Sequence, residues 1–292
     1  MSSVKLLAPA KLNFSIDIVG VREDGYHLMS MVMQTVNLCD RVDIETNESN
    51  AIRIHCKGLL LDSEKDNIAY KAALEFFYAT DISNRGVTIT IDKQIPSGAG
   101  MGGGSSDGAA VLIGLNILYN TNLSEEQLMQ IGEKIGADIP FCIYGGTALV
   151  EGIGEKITPI ADFPNCYVVV AKPAASVNSK SAFQAYDEGK ITAHPDTQGL
   201  ITLIKWQDIL SATTKFCNVF EEVVNLGEMD YIKEQMSLFG GLHPMMTGSG
   251  SAVFSIFLEE DAALACYYSL CDQSIKAYIC EPVKTGPKII LE

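Results

Sequence analysis

In the stretch KLNFSIDIVG, Leu12, Phe14, Ile16 and Ile18 alternate with polar or small residues. A period of two puts these four side chains on one face of a strand, so a strand with one buried face is expected. RVDIET, AIRIHC and GVTITID repeat the habit between residues 41 and 92. Between them, DNIAYKAALEFFYA gathers Ile68, Ala72, Ala73 and Phe76 on one face of a predicted helix, with Asp66 or Asn67 placed to cap it. Ala109, Ala110, Ile113 and Ile117 fall at helical spacing and predict a helix over 105–119. LSEEQLMQIGEKI predicts another, opened by a capping box of Ser124 and Gln127.

Beyond that point GADIPFCIYGGTALVEGIGEKITPI reads as strand and turn. CYVVVAKP is a short β-branched strand that Pro173 ends. Helices are expected near 181–188, 199–210 and 230–239, followed by GSGSAVFSIFL, a strand entered through glycines. Strands and helices in this order describe an α+β protein. The change of pattern around Pro159 to Pro164 suggests two domains, 1–160 and 161–292, in keeping with a length of 292 residues.

The composition, 47% hydrophobic and 20% charged, is that of a soluble globular chain, and no apolar run approaches the roughly eighteen residues of a membrane span. Pro9 and Lys11 interrupt the N-terminal apolar stretch, so no secretory leader is read there and a cytoplasmic location is expected. Eight cysteines lie apart without a C-x-x-C pair, and the four histidines (His27, His55, His194, His243) lack paired ligand spacing. Reduced thiols and no structural metal follow. The net charge of −15 repels polyanions and argues against nucleic acid as a partner. A small anionic ligand would have to be held by a local device such as oriented backbone amides.

Such a device is visible in IPSGAGMGGGSSDGAA, which carries five glycines in the seven positions from Gly98 to Gly104. Each glycine costs up to about 1 kcal/mol against alanine in regular structure, so bare backbone is needed there. Gly98, Gly100 and Gly103 formally fit G-x-G-x-x-G, but a second helix stands where the dinucleotide fold requires a strand and an acidic residue. The G-x-x-x-x-G-K-[ST] loop also fails, because Ser105 and Ser106 follow the glycines without a lysine. What remains is the shared physics: glycine backbone can approach phosphate oxygens, and the following helix N-terminus offers free N–H groups and a positive dipole end.

The run P-S-G-A-G-M-G-G-G-S-S resembles the ATP loop of the GHMP kinases, the superfamily of galactokinase, homoserine kinase and mevalonate kinase. Two further segments carry the resemblance: APAKLNFSIDIVGVREDGYHLMSMVMQTVNL near the start and MTGSGSAVF from Met246 to Phe254. With GADIPFCIYGGTALVEGIGE they span nearly the whole chain. P-A-K-x-N followed by D-G-Y-H narrows the likeness to the branch acting on a cytidine-diphosphate-linked alcohol. The implied fold is a two-domain GHMP kinase, with an ATP-binding domain like the second domain of a small-subunit ribosomal protein, a ferredoxin-like substrate domain, and the active site between them. The implied reaction moves the γ-phosphoryl group of ATP to the 2-hydroxyl of 4-diphosphocytidyl-2-C-methyl-D-erythritol, in the non-mevalonate route to isoprenoid precursors.

Lys11 and Asp138 match the two catalytic positions of that family. A carboxylate can accept or orient the hydroxyl proton, while an ammonium favours the ionised carboxylate and offsets transition-state charge. For ATP the resemblance implies Pro96, Ser97, Gly98, Ala99, Gly100, Met101, Gly102, Gly103, Gly104, Ser105 and Ser106 as the phosphate cradle. Lys93 and Asn67 would lie near the adenine; on their own residues they read equally as a solvated lysine and a helix cap. Tyr26 and His27 are placed to stack on cytosine and read its edge. Asn13, Ser179, Phe183, Gly248 and Ser249 are assigned to the substrate, Asn13 because it shares a strand face with Lys11. Magnesium is expected with ATP, with Ser106 as the candidate shell contact.

Met101 stands where the family usually carries leucine, and Ser179 and Phe183 where threonine and tyrosine are frequent. These departures leave room for a sibling kinase acting on a mevalonate- or homoserine-like alcohol, or for a relative that binds nucleotide without turnover. A monomer and a homodimer are both compatible with the sequence.

Overall fold

The alternating run from Leu12 to Ile18 is the inner half of a long strand, β1 (Ser3–Val21), paired antiparallel with β2 (His27–Thr46). A computed structural model describes residues 2–58, 63–83 and 85–291. The pairing shifts between Pro9 and Lys11, between Asn13 and Ser15, and between Ile18 and Gly20. Such bulges bend a strand and re-aim its side chains, and here they let one strand serve several surroundings. Its outer part packs Leu6 under a helical layer; its middle packs Leu12 and Phe14, and its end Ile16, against the second half of the chain.

The chain continues through β3 (Ile52–Lys57), α1 (Ile68–Thr80), β4 (Val87–Asp92), α2 (Gly103–Leu118), α3 (Glu125–Glu133), α4 (Ile139–Tyr144), β5 (Thr147–Gly152) and β6 (Lys156–Pro159). Then come β7 (Tyr167–Lys172), α5 (Ser179–Glu188), α6 (Thr197–Lys205), α7 (Ile209–Thr213), β8 (Cys217–Asn218), α8 (Gly227–Leu238), β9 (Leu242–Met246), β10 (Val253–Phe257), α9 (Glu260–Asp272), β11 (Lys276–Cys280) and β12 (Lys288–Ile289). The first sheet runs β12-β1-β2-β4-β3, with β5 and β6 continuing from β2 and β8 pairing with β1. The second is antiparallel, in the order β11-β7-β10-β9. Because β8 and β12 come from the second half, that half returns twice to β1.

Helices α1 and α2 cover the first sheet, with Ala72, Phe76, Ala110 and Leu115 fully buried among Val42, Ile44, Ile89 and Ile91. Asn67 is the α1 cap, its side chain accepting from the Ala69 N–H, and the Ser124–Gln127 capping box of α3 is present in both directions. The second core joins the sheets: Phe14 stacks on Phe216 at 4.6 Å and meets Phe163 at 4.4 Å.

The structure corrects three readings and adds one helix that the sequence pattern did not give. Ile117 is 41% exposed, because α2 ends at Leu118 and its last turn passes the edge of the helical layer. IPFCIY forms helix α4 rather than a strand: buried on nearly every side it shows no period, and Pro140 suits a first helical turn. The helix expected over 199–210 is two, α6 and α7, separated by Gln207 at φ 59°. Helix α9 escaped the periodicity altogether, since Tyr268 on it is 60% exposed beside fully buried Ala263, Cys266 and Leu270. All eight cysteines are free thiols, four of them buried. No helix among the described residues is long and apolar enough to cross a membrane.

Candidate active site

Lys11 and Asn13 share the face of β1 opposite Leu12 and Phe14. Lys11 is only 5% exposed, and a buried ammonium needs partners to offset its lost hydration. Its Nζ donates to Asn13 Oδ1 at 2.7 Å and lies 3.9 Å from Asp138 Oδ2. Asp138 stands at the N-cap of α4, its side chain 36% exposed against 6% for that of Lys11. A reachable carboxylate can take the proton of a hydroxyl whose oxygen attacks a phosphoryl group, and an ammonium beside it can offset the charge on that group.

The glycine loop lies against this pair. The Lys11 N–H donates to Met101 O at 3.0 Å, and Gly102, at φ 68°, leaves the space the lysine stem fills. A Cβ there would meet Lys11 Cγ at 2.9 Å. Gly102 also caps α2 without any side-chain bond, so the first N–H groups of that helix face the loop unpaired by a cap. Ser105 lines the groove in front of them. Ser106 does not: it is fully buried and donates to Pro9 O at 2.7 Å, so its hydroxyl ties α2 to β1 instead of facing a ligand.

Two grooves meet at Gly100 and Gly102, which line both. One, of about 310 Å³, is walled by Asn67, Ile68, Cys56, Lys93, Asp107 and the loop from Pro96 to Gly104. The other, of about 390 Å³, is walled by Lys11, Asn13, Ser105, Asp138, Ser179, Phe183, Phe220, Gly248 and Ser249. A third cavity, about 660 Å³, lies across the loop beside Lys172 and Lys276 and is lined by neither Lys11 nor Asp138.

Lys93 is not a solvated lysine. It bridges Asp40 and Asp107, bonding Asp107 Oδ2 at 2.7 Å, while Asp40 also accepts from the N–H groups of Gln94 and Ile95. Burial pushes the Lys93 ammonium down, but the two carboxylates outweigh it and its proton is held above the usual range. Burial pushes the Asp107 carboxyl up to about 8; the Lys93 charge opposes this and the Asp40 charge adds to it. Asp107 Oδ1 has no hydrogen-bond partner among the described residues. The ammonium of Lys93 lies beside Gly103, 3.2 Å from where a Cβ would stand, so a second lysine accompanies a loop that has none in its own sequence.

At the far end of the second groove, Phe183 stacks on His27 at 4.9 Å and meets Phe220 edge-on at 5.0 Å. His27 Nε2 pairs with Asp187 Oδ1 at 2.8 Å, while Tyr26, 61% exposed, stands at the tip of the β1–β2 hairpin. Ser179 and Ser249 share a hydrogen bond of 2.8 Å. The two glycine loops touch: a Cβ on Gly248 would sit 2.6 Å from Gly100 O, and the Ala252 N–H donates to Ala99 O at 3.2 Å. Thr247, Asn218, Asp40, Asp107 and Lys172 escaped the sequence reading. Asp107, directly after Ser105-Ser106, and Thr247, inside MTGSGSAVF, lay within motifs that could have drawn attention to them.

Residues 67–146 match the family model of the GHMP kinase N-terminal domain. The chain is 41% identical over 292 residues to 4-diphosphocytidyl-2-C-methyl-D-erythritol kinase of Alkaliphilus oremlandii, covering 99% of this chain and 100% of that one. It is 45% identical over 256 residues to the protein of that name from Clostridium perfringens, covering 87% and 88%. A crystal structure of 4-(cytidine 5'-diphospho)-2C-methyl-D-erythritol kinase superposes with a TM-score of 0.80 at 28% identity, over 97% of this chain and 100% of that one.

Proposed function

Because the chain belongs to the 4-diphosphocytidyl-2-C-methyl-D-erythritol kinase family of GHMP kinases, we propose that its two joined grooves transfer the γ-phosphoryl group of ATP to the 2-hydroxyl of that substrate, a step of isoprenoid precursor synthesis. The protein is an ATP-dependent small-molecule kinase. The observation that carries the site assignment is the meeting of the grooves at Gly100 and Gly102, directly over the Lys11 stem.

In this reading ATP occupies the groove of Asn67, Lys93 and the glycine loop, its phosphates on the α2 N-terminus and its γ-phosphorus toward Lys11. The cytidine end of the acceptor lies on Tyr26, His27 and Phe183, and its diphosphate near Gly248 and Ser249. Asp138 accepts the proton of the 2-hydroxyl as that oxygen bonds to phosphorus; the bond to the bridging oxygen breaks and ADP leaves with the electron pair. Lys11 offsets the charge on the transferring group, while Asn13 holds the ammonium in place. Magnesium would come with the nucleotide and neutralise phosphate charge. Among the described residues there is no cluster of three His, Cys, Asp or Glu side chains to hold a metal alone, and Ser105 is the hydroxyl placed at the groove.

The second sheet, in which α8 and α9 alternate with β7, β9, β10 and β11 once the α5-to-β8 insertion after β7 is set aside, has the neighbours β11-β7-β10-β9 and supports a ferredoxin-like substrate domain over 161–292 beside an ATP domain over 1–160. A cytoplasmic site of action belongs to the same reading. The test is ADP release with ATP, magnesium and a panel of the cytidylyl substrate, mevalonate and homoserine. Turnover confined to the cytidylyl substrate, lost by about a hundredfold or more in Lys11→Ala and Asp138→Asn, is expected. Turnover with another alcohol alone, or near-normal turnover in either folded variant, would refute it.

A further inference from the structure

Asn218 lies outside both grooves, 3% exposed, on the two-residue strand β8 beside Ser15 and Ile16 of β1. All of its side-chain capacity is directed at structure. Nδ2 donates to Met246 O at 2.8 Å and Gly248 O at 2.9 Å, and Oδ1 accepts from the Phe220 N–H at 3.1 Å. The Gly248 residue is therefore gripped from two sides, because its N–H donates to Asn13 Oδ1 at 3.1 Å. Asn13 is the same side chain that holds the Lys11 ammonium.

A trans peptide is planar, with C=O and N–H pointing in opposite directions. Anchoring Gly248 C=O on a buried asparagine behind the loop turns the next N–H, that of Ser249, away from Asn218. Gly248 and Ser249 both line the substrate groove, and the Ser249 N–H has no hydrogen-bond partner among the described residues. A donor freed in this way and held by a rigid plane is suited to an anionic oxygen. Phe220, whose N–H Asn218 also holds, carries the ring that buttresses Phe183.

We infer that Asn218 is a positioning residue that aims the Ser249 N–H at a diphosphate oxygen of the acceptor substrate. It fixes the spacing between that anion contact and the aromatic wall at the other end of the groove. The inference rests on the reading of the acceptor as a cytidine diphosphate derivative and adds the residue that orients its phosphate contact.

The probes are CDP and cytidine, bound to the whole protein and followed by calorimetry. Asn218→Asp keeps the acceptor for Phe220 but sets a carboxylate oxygen against two carbonyls. It should cut the affinity for CDP by tenfold or more, leave cytidine within about twofold, and leave the KM for ATP within about twofold. A purely structural role would weaken both probes alike. As a measurement that needs no stable variant, wild-type protein labelled with ¹⁵N-serine should show the Ser249 amide shifting on addition of CDP and not of cytidine. An unchanged CDP-to-cytidine ratio in the variant, or a Ser249 amide indifferent to CDP that does bind, overturns the inference alone. Wild-type protein that binds neither probe overturns the substrate reading and this inference with it.

Discussion

Gly102→Ala tests the link between the glycine loop and the catalytic lysine. At φ 68° an alanine pays about 1–2 kcal/mol for left-handed backbone, which predicts a fall of a few degrees in melting temperature. Its Cβ would stand 2.9 Å from Lys11 Cγ and 3.2 Å from Cε. Ordinary contact requires several tenths of an ångström more, and the neighbour at fault is the middle of the stem, not its free end. Nor can the stem retreat easily, since the Lys11 N–H is bonded to Met101 O and Nζ to Asn13. The ammonium is displaced relative to Asp138, and a misplacement on the order of 1 Å costs about a hundredfold in rate. Steady-state kinetics should give a kcat lower by one to two orders of magnitude, with the thermal transition still cooperative. Placed on a Lys11→Ala background, the same change should cost less than about a further threefold, because the group it displaces is already gone. A kcat within about threefold of wild type, or full additivity with Lys11→Ala, would refute the steric coupling.

Three more expectations follow from contacts elsewhere. Asp107, raised to about 8 by burial, keeps its proton in the folded state while the unfolded chain has lost its own above about pH 4. Stability from this group therefore falls as pH rises through that window, so urea midpoints between pH 5 and 8 should decline more steeply for wild type than for Asp107→Asn, and parallel profiles would contradict this. Phe183→Ala removes the ring stacked on His27 at 4.9 Å; it should raise the KM for the cytidylyl substrate roughly tenfold or more and leave the KM for ATP unchanged, as kinetics at saturating co-substrate will show. Ser124→Ala deletes the α3 cap and should cost about 1 kcal/mol in chemical denaturation, with kcat intact.

Much of the fold was legible because local signals are written in adjacent residues. The period-two strand around Phe14, the capping box at Ser124 and the strand before Pro173 all stand where the pattern puts them, and of the two cap candidates for α1, Asp66 and Asn67, the structure uses Asn67. Where burial is nearly complete the pattern goes silent, and IPFCIY became a helix that no period announced. A backbone turn decided by one positive φ, at Gln207, split a helix that side-chain spacing had left whole.

The site divides in the same way. That a glycine-rich loop precedes a helix, that Lys11 and Asn13 share a strand face, and that Asp138 precedes an apolar segment follow from the sequence, since each depends on neighbours a few positions apart. Tertiary structure alone decided that Lys11 fills the hollow left by Gly102, that Ser106 is turned inward, and that Lys93 is locked between Asp40 and Asp107. It also decided that Asn218 holds a loop 30 residues away in sequence. These choices rest on desolvation and hydrogen-bond pairing, which depend on what lies within about 3 Å in space, and chain order does not specify that distance.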